Sequence, residues 1–128
     1  MQYIDTNILL RYLLNDHAEH SLLARKIIAE NIVNTPIEVL CEAVFVLKRV
    51  YGATQKDIAD TFLDFYENTN CILPHREAVL RGIKYFGEKD LDFVDCILAG
   101  YCETENINVQ TFDKKLENLI ASIQKSKN

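Results

Sequence analysis

Short apolar segments alternate along this chain with longer segments in which apolar residues recur at helical spacing. Four short segments have the composition of buried strands: Gln2 to Asp5, Asn31 to Asn34, Cys71 to Leu73 and Ile107 to Val109. Helical periodicity separates and follows them, over residues 8–14, 18–30, 35–51, 54–67, 75–86, 93–103 and 113–123. This alternation predicts an α/β fold, a three-layer α/β/α sandwich around a short central parallel sheet of four to five strands.

Residues with strong capping or helix-ending preferences mark several of the predicted helix boundaries. Thr35, Pro36 and Glu38 form the pattern of a capping box, with Thr35 as the cap and Pro36 at the first helical position. Gly87 is expected to end one helix, and Asp92 is expected to cap the next. Ligands of such a fold bind outside the carboxyl ends of the strands, so the residues that follow each strand are candidates for chemistry.

The length of 128 residues suits one hydrophobic core. We therefore expect a single domain over residues 1–123 and a frayed C-terminal tail over residues 124–128. No apolar run approaches the roughly 20 residues of a membrane span, and no signal peptide is evident. The four cysteines lack C-x-x-C spacing and lie among apolar residues, which is typical of small buried side chains in a reducing cytoplasm: Cys41, Cys71, Cys96 and Cys102.

Three aspartates stand at or near predicted strand ends. Asp5 follows the first strand segment, Asp113 follows the fourth, and Asp95 lies close to the start of the helix after Leu91. The carboxyl ends of parallel strands meet at one edge of a sheet, so these side chains are expected in one crevice. Each also has a structural alternative, because Asp is a common N-cap and is favoured in the first turn of a helix.

Glu42 lies in the otherwise apolar window from Val39 to Leu47, which predicts a helix buried on nearly all sides. A lone buried carboxylate is costly unless it is paired or binds a metal ion. The alternative is a glutamate that pairs with Arg49 or another cation, or one that lies at the edge of the helix.

Several carboxylates in one crevice repel one another unless they are protonated or bridged by cations, and hard oxygen ligands select Mg²⁺ or Mn²⁺. Such a site suits phosphoryl chemistry. The net charge of −5 argues against a protein that binds nucleic acid through clustered Lys and Arg. It does not argue against one that holds a substrate phosphate through metal ions, because the metal-binding carboxylates themselves make the charge negative.

The sequence resembles the PIN domains, and specifically the toxin branch of that family found in type II toxin-antitoxin pairs. The matching segments cover essentially the whole chain: Tyr3 to Asn7, the helix of Glu42, Leu91 to Leu98, and Thr111 to Asp113. The resemblance implies a catalytic quartet that binds one or two divalent ions, Mg²⁺ or Mn²⁺, and consists of Asp5, Glu42, Asp95 and Asp113. It also implies supporting roles for Thr6, Asn7, Asp92 and Thr111.

The activity that the resemblance implies is metal-dependent endoribonuclease cleavage of RNA phosphodiester bonds, with 3′-hydroxyl and 5′-phosphate products. It further implies a homodimer and a cognate antitoxin protein that covers the acids, with DNA bound only through the antitoxin. Among the scattered basic residues, Arg11 and either Lys48 or Arg49 are the candidates for contact with RNA phosphate.

Other phosphate-handling folds fit the sequence less well. A receiver domain needs two adjacent early acids and a lysine after the last strand, whereas this chain has Asp5 alone and no such lysine after Val109. A haloacid-dehalogenase phosphatase needs D-x-D-x-T, where this chain has Asp5, Thr6 and Asn7. The remaining alternative is a catalytically inactive PIN-like module that binds RNA or protein. His17 and His20 lack a third ligand in the sequence nearby and are expected to face solvent.

Overall fold

A computed structural model describes all residues from Met1 to Asn128. It contains two short strands and seven helices, in the order β1 (Gln2–Tyr3), α1 (Thr6–Leu14), α2 (Ala18–Glu30), β2 (Val33–Asn34), α3 (Ile37–Arg49), α4 (Gln55–Asn68), α5 (Arg76–Glu88), α6 (Phe93–Glu105) and α7 (Lys114–Lys127). The chain divides into two compact units, Met1–Pro74 and His75–Asn128. None of the helices combines the length and the hydrophobicity that a membrane span requires.

In the first unit, β1 and β2 form a two-stranded parallel sheet in which Gln2 pairs with Val33 and Tyr3 with Asn34. Ile72 extends this pairing by one isolated parallel bridge to Asn34. The Ile72 N–H donates to the Val33 carbonyl at 2.7 Å, and the Ile72 carbonyl accepts from the Thr35 N–H at 3.0 Å. Three chain segments therefore run side by side, each of them very short.

The prediction of a central sheet of four to five strands was wrong. Residues 71–73 contribute only the bridge at Ile72, and Ile107 to Val109 forms no strand. In that last segment Asn106 adopts the left-handed conformation that ends α6, and both Ile107 and Asn108 are exposed. A strand is stabilised by ladder partners and by a buried face. This segment has neither, so its apolar residues do not make it a strand.

Several helix boundaries also differ from the sequence-based expectation. Thr35 does not cap α3, because the N-cap position belongs to Pro36 and carries no side-chain cap hydrogen bond. The Thr35 hydroxyl is instead fully buried, 2.5 Å from the Tyr66 hydroxyl. Helix α5 continues through Gly87 to Glu88, and α7 continues past Ile123 to Lys127. The capping preference of Thr35 is not realised, because its buried hydroxyl needs a hydrogen-bond partner and finds one in the core.

The helices of the first unit bury one apolar face each. Helix α4 shows this clearly, since Ile58, Phe62 and Tyr66 recur at spacings of four residues and all are almost fully buried. Tyr12 of α1 packs edge-to-face against Phe65, with ring centroids 5.2 Å apart. The Thr54 hydroxyl accepts from the Asp57 N–H at 3.1 Å and so caps α4.

In the second unit, α5 and α6 pack backbone to backbone at two glycines. A Cβ on Gly100 would lie 2.1 Å from the Ala78 carbonyl oxygen, and one on Gly82 would lie 2.8 Å from that of Cys96. Only residues without a side chain allow this approach. The core around it contains Val79, Ile83 and Phe86 of α5 and Leu116 of α7.

All four cysteines are free thiols. Three are buried, and Cys41 is half-buried. Burial raises the pKa of the Cys96 thiol to about 12, with the nearby carboxylates of Asp95 and Asp92 as further causes. A thiol in that environment stays protonated and packs as a small apolar group.

Candidate metal centre

Asp5 lies two residues after the end of β1 and immediately before helix α1. Its backbone is extended, and its Oδ1 accepts from the Ile8 N–H at 3.0 Å, so Asp5 is the N-cap. The side chain is exposed. A carboxylate has two oxygens with about four acceptor positions, so one cap hydrogen bond leaves Asp5 able to bind a cation as well. Capping and metal binding are therefore compatible roles for this residue.

Glu42 lies on the second turn of α3, and its side chain is exposed. The prediction that this helix is buried on nearly all sides was wrong, because Phe45 is 60% exposed and α3 therefore has a solvent face. No cation of the first unit pairs with Glu42. The Arg49 guanidinium instead lies over the ring of Phe45, 5.9 Å from its centroid. Glu42 is thus an exposed carboxylate without a structural partner in its own unit.

The residues beside Asp5 differ in their surroundings. Thr6 is buried at the first position of α1, whereas Asn7 is exposed and lines a small cleft between α1 and α2 with Ile8 and Arg11. Within the first unit no hydrogen bond joins Asp5 to Glu42. The structure therefore places both acids in this unit without connecting them directly.

Asn34 is a polar residue of this region that the sequence analysis did not single out. It is only 8% exposed, and its Oδ1 has no hydrogen-bond partner. Its backbone pairs with Tyr3, two residues before Asp5. The signal in the sequence was a polar residue at the end of a strand-like segment, which is where α/β folds collect functional side chains.

In the second unit, Asp95 lies in the first turn of α6 and is half-buried. Desolvation raises the pKa of its carboxyl group, and the negative charges of Asp113 and Asp92 raise it further. These three carboxylates are therefore close enough to repel one another. The structure brings together two members of the predicted quartet, Asp95 and Asp113, and one predicted helper, Asp92.

Two local contacts orient Asp113. Its Oδ1 accepts from the Leu116 N–H at 3.0 Å, which caps α7. Its own N–H donates to the Thr111 hydroxyl at 3.0 Å, so Thr111 holds the backbone of the cap. Asp92 occupies the N-cap position of α6 but makes no side-chain cap hydrogen bond, which corrects the expectation that it caps through its carboxylate. That carboxylate remains available for a cation.

No ion pair within the second unit neutralises this acidic cluster. The ammonium group of Lys115 interacts electrostatically with Asp113 and Asp92. Its ion pair, however, is with Asp90, at 2.8 Å. Asp92, Asp95 and Asp113 form no salt bridge of their own with Lys115 or with another basic residue of the unit. Asp95 is half-buried, whereas Asp92 and Asp113 are exposed, and three neighbouring carboxylates without a paired cation can accept a divalent ion.

The chemistry of these donors fits Mg²⁺ or Mn²⁺, because carboxylate oxygens are the hard ligands that both ions prefer. Within neither unit do three or more His, Cys, Asp or Glu side chains stand close enough to enclose an ion together.

His17 and His20 form no part of this centre. Their rings are stacked with centroids 4.2 Å apart, and both side chains are exposed. The His17 Nδ1 accepts from the His20 N–H at 3.1 Å and so caps α2. The expectation that both face solvent is confirmed, and the capping role of His17 is a finding of the structure.

Comparison with known proteins gave one result, a match to a protein family. No match was found among curated proteins or among solved structures. The profile of the PIN domain matches residues 2–120, which is nearly the whole chain and includes all four acids of the quartet. The chain therefore belongs to the PIN domain family, whose members are generally nucleases that bind divalent metal ions.

Proposed function

We propose that this protein is a metal-dependent endoribonuclease and the toxin component of a type II toxin-antitoxin pair. The observation that carries the proposal is the cluster of Asp92, Asp95 and Asp113, in which desolvation and then the charges of the other two carboxylates raise the pKa of Asp95. Each of these carboxylates also stands at the start of a helix, but capping alone does not call for three of them close together, whereas a cation-binding site makes use of such a group. Membership of a family of nucleases supports the same reaction class.

In this proposal Asp5, Glu42, Asp95 and Asp113 supply the ligands of Mg²⁺ or Mn²⁺. When bound there, such an ion would supply Lewis-acid chemistry for phosphodiester hydrolysis. The protein itself orients the ligands. The caps of α1 and α7 hold the carboxylates of Asp5 and Asp113 in one rotamer, and Thr111 holds the backbone of Asp113. Thr6, Asn7 and Asp92 are proposed to support the site.

The partners belong to the same proposal: an RNA substrate, a cognate antitoxin that covers the acids, and a second copy of the chain, in the cytoplasm. DNA would be contacted only by the antitoxin. The exposed side chains of Leu22 and Leu23 on α2 support the existence of a protein partner, since large apolar side chains next to a partly apolar cleft are typical of docking surfaces.

The test is cleavage of total cellular RNA by the purified protein, with Mg²⁺ or Mn²⁺ and again with chelator. Asp5→Asn is the informative variant, because Asn caps a helix as well as Asp does and α1 should remain intact. Asp60→Asn is the matched control, since it removes one exposed carboxylate that pairs only with Lys56.

Discrete RNA fragments are expected from the wild type and from Asp60→Asn with metal, and from neither Asp5→Asn nor any chelated sample. Fragment ends should carry 5′-phosphate. Intact RNA after incubation with antitoxin-free wild type, together with no calorimetric binding of Mn²⁺, would reject catalysis and leave the inactive RNA- or protein-binding module.

A further inference from the structure

The second unit contains a cleft of about 320 Å³ beside the acidic cluster. It lies between α7 and the segment that precedes α6, and its walls are Lys89, Asp90, Leu91, Lys115, Asn118, Leu119 and Ser122. Leu91 directly precedes Asp92, and Lys115 comes two residues after Asp113. The cleft and the acidic cluster therefore share the same two chain segments.

The charge of Lys115 connects the cleft with the acids. The ammonium group interacts with the carboxylates of Asp113 and Asp92, although its direct partner is Asp90. The walls of the cleft carry two lysines and one aspartate, so the cleft itself has a positive charge although the adjoining cluster and the chain as a whole, of net charge −5, are negative. An RNA strand whose scissile phosphate lay at the acidic cluster would bring a neighbouring phosphate towards the lysines of the cleft.

Lys115 is held in place by a contact that a ligand can replace. Its Nζ lies 2.8 Å from the Asp90 Oδ2 and 3.4 Å from the Asp90 carbonyl oxygen. The two side chains are 65% and 92% exposed. An exposed ion pair of this kind contributes little to stability, because solvent screens the two charges. A phosphate can therefore take the place of the Asp90 carboxylate at little cost.

The remaining walls suit the other parts of a nucleotide. Lys115, Asn118 and Ser122 recur at spacings of three and four residues and so lie along one face of α7. Their side chains offer hydrogen bonds to phosphate and ribose oxygens. Leu91 and Leu119 are largely buried and form an apolar floor of the cleft, on which a ribose or a base could rest. The volume is at the lower end of small-ligand sites, which suits a single nucleotide rather than a duplex.

We propose that this cleft is a strand-binding subsite that holds the RNA nucleotide next to the scissile bond. Lys115, assisted by Lys89, binds its phosphate, and Asp90 competes for Lys115 in the free protein. The proposal rests on the proposed nuclease function and adds the positioning residues. Single-stranded RNA is the proposed occupant because the proposed enzyme acts on RNA and a cleft of about 320 Å³ has room for one nucleotide but not for a duplex.

The first experiment measures binding of a labelled single-stranded RNA oligonucleotide by fluorescence anisotropy, in chelator and over a series of salt concentrations. Lys115→Gln should weaken binding and reduce the salt slope by about 0.7, the value for one phosphate contact on a single strand. Asp90→Asn should tighten binding, because it removes the competing carboxylate and keeps the size of the side chain. Lys125→Gln is the matched control, ten residues and roughly 15 Å further along α7, and should bind like the wild type.

Cleavage of the same oligonucleotide in Mn²⁺ supplies the second readout. Lys115→Gln should raise KM several-fold with a smaller effect on kcat, as expected for a residue that binds the strand away from the reacting atoms. Circular dichroism checks the fold of each variant, and Asp90→Asn tests the subsite independently if Lys115→Gln is unstable.

Each remaining outcome counts against the subsite, against its restriction to RNA, or against both the subsite and the nuclease. If the wild type binds and cleaves RNA while Lys115→Gln and Asp90→Asn match it, the subsite is rejected and the nuclease stands. Weaker binding by Asp90→Asn also rejects it, because Asp90 would then only position Lys115. Equal affinity for single-stranded DNA of the same sequence overturns the restriction to RNA. If the wild type neither binds nor cleaves RNA, both proposals fail.

Discussion

Asp113 combines a structural and a proposed catalytic role in one side chain, and two substitutions separate them. Asn keeps the N-cap of α7, so Asp113→Asn should retain the wild-type free energy of unfolding and lose RNA cleavage. Ala removes the hydrogen bond to the Leu116 N–H, so Asp113→Ala should lose cleavage and in addition about 1 kcal/mol of stability. Urea unfolding and the cleavage assay measure the two effects. Full activity of Asp113→Asn would show that capping is the only role of this residue.

The raised pKa of Asp95 predicts a dependence of stability on pH with a definite sign. The folded state holds the carboxyl proton more tightly than the unfolded state, whose pKa is near the ordinary value of 3.8. The free energy of unfolding therefore falls as pH rises from that value through the folded pKa, and it stays lower above it. Asp95→Asn cannot ionise, so its stability relative to the wild type should increase across the same window.

Urea unfolding of the wild type and Asp95→Asn at a series of acidic to neutral pH values tests this expectation in metal-free buffer. Saturating Mn²⁺ should reduce the advantage of Asp95→Asn, because a bound cation stabilises the ionised form of Asp95 in the wild type. A difference between the two proteins that does not change with pH would contradict the argument.

At the scale of elements, the contact of α5 with α6 depends on the absence of side chains. Gly100→Ala improves intrinsic helix propensity by up to about 1 kcal/mol. Its Cβ would nevertheless lie 2.1 Å from the Ala78 carbonyl oxygen, and a well-packed contact forced apart costs about 1–3 kcal/mol. We expect a net loss of stability in thermal and urea unfolding.

The clashing atom belongs to the backbone, and this makes the expectation for Gly100→Ala specific. Removing the Ala78 side chain in Ala78→Gly leaves the carbonyl oxygen in place and cannot relieve the clash. The double variant Ala78→Gly, Gly100→Ala should therefore be no more stable than Gly100→Ala alone. Recovery in the double variant would show that the helices are separated by side-chain bulk and not by their backbones.

At the scale of the whole molecule, a cation bound to the folded chain should stabilise it. A ligand that binds only the folded state adds about 2.7 kcal/mol at a concentration of 100 times its Kd. Mn²⁺ should therefore raise the Tm of the wild type and of Asp60→Asn, and EDTA should reverse the rise. Asp95→Asn should show a much smaller shift. An equal shift in all three proteins would indicate that Mn²⁺ binds elsewhere.

The elements that could be predicted from the sequence are those stabilised by interactions between neighbouring residues. Residues 18–30 match α2 at both ends, and Thr54 caps α4 where its side-chain preference places it. Asp113 and Thr111 are likewise a local pair, so their arrangement follows from neighbouring residues. Periodicity and capping act over a few residues and are visible in the sequence.

The strands and the burial of α3 could not be predicted in this way. A strand needs a partner from a distant part of the chain, and Ile107 to Val109 has none despite its composition. Glu42 was expected to be buried because its neighbours are apolar, yet Phe45 shows that an apolar helix can leave one side to solvent. Which faces of a helix are buried depends on the elements that pack against it.

The sequence by itself determined most of the helices and the caps at Asp5, Thr54 and Asp113, since propensity and capping depend on residue type and near neighbours. The tertiary structure alone decided that the sheet has two strands, that Thr35 bonds to Tyr66 in the core and not to α3, and that Asp95 is partly buried beside Asp92 and Asp113. Burial, pairing and electrostatic coupling are properties of groups distant in sequence, and only folding brings those groups together.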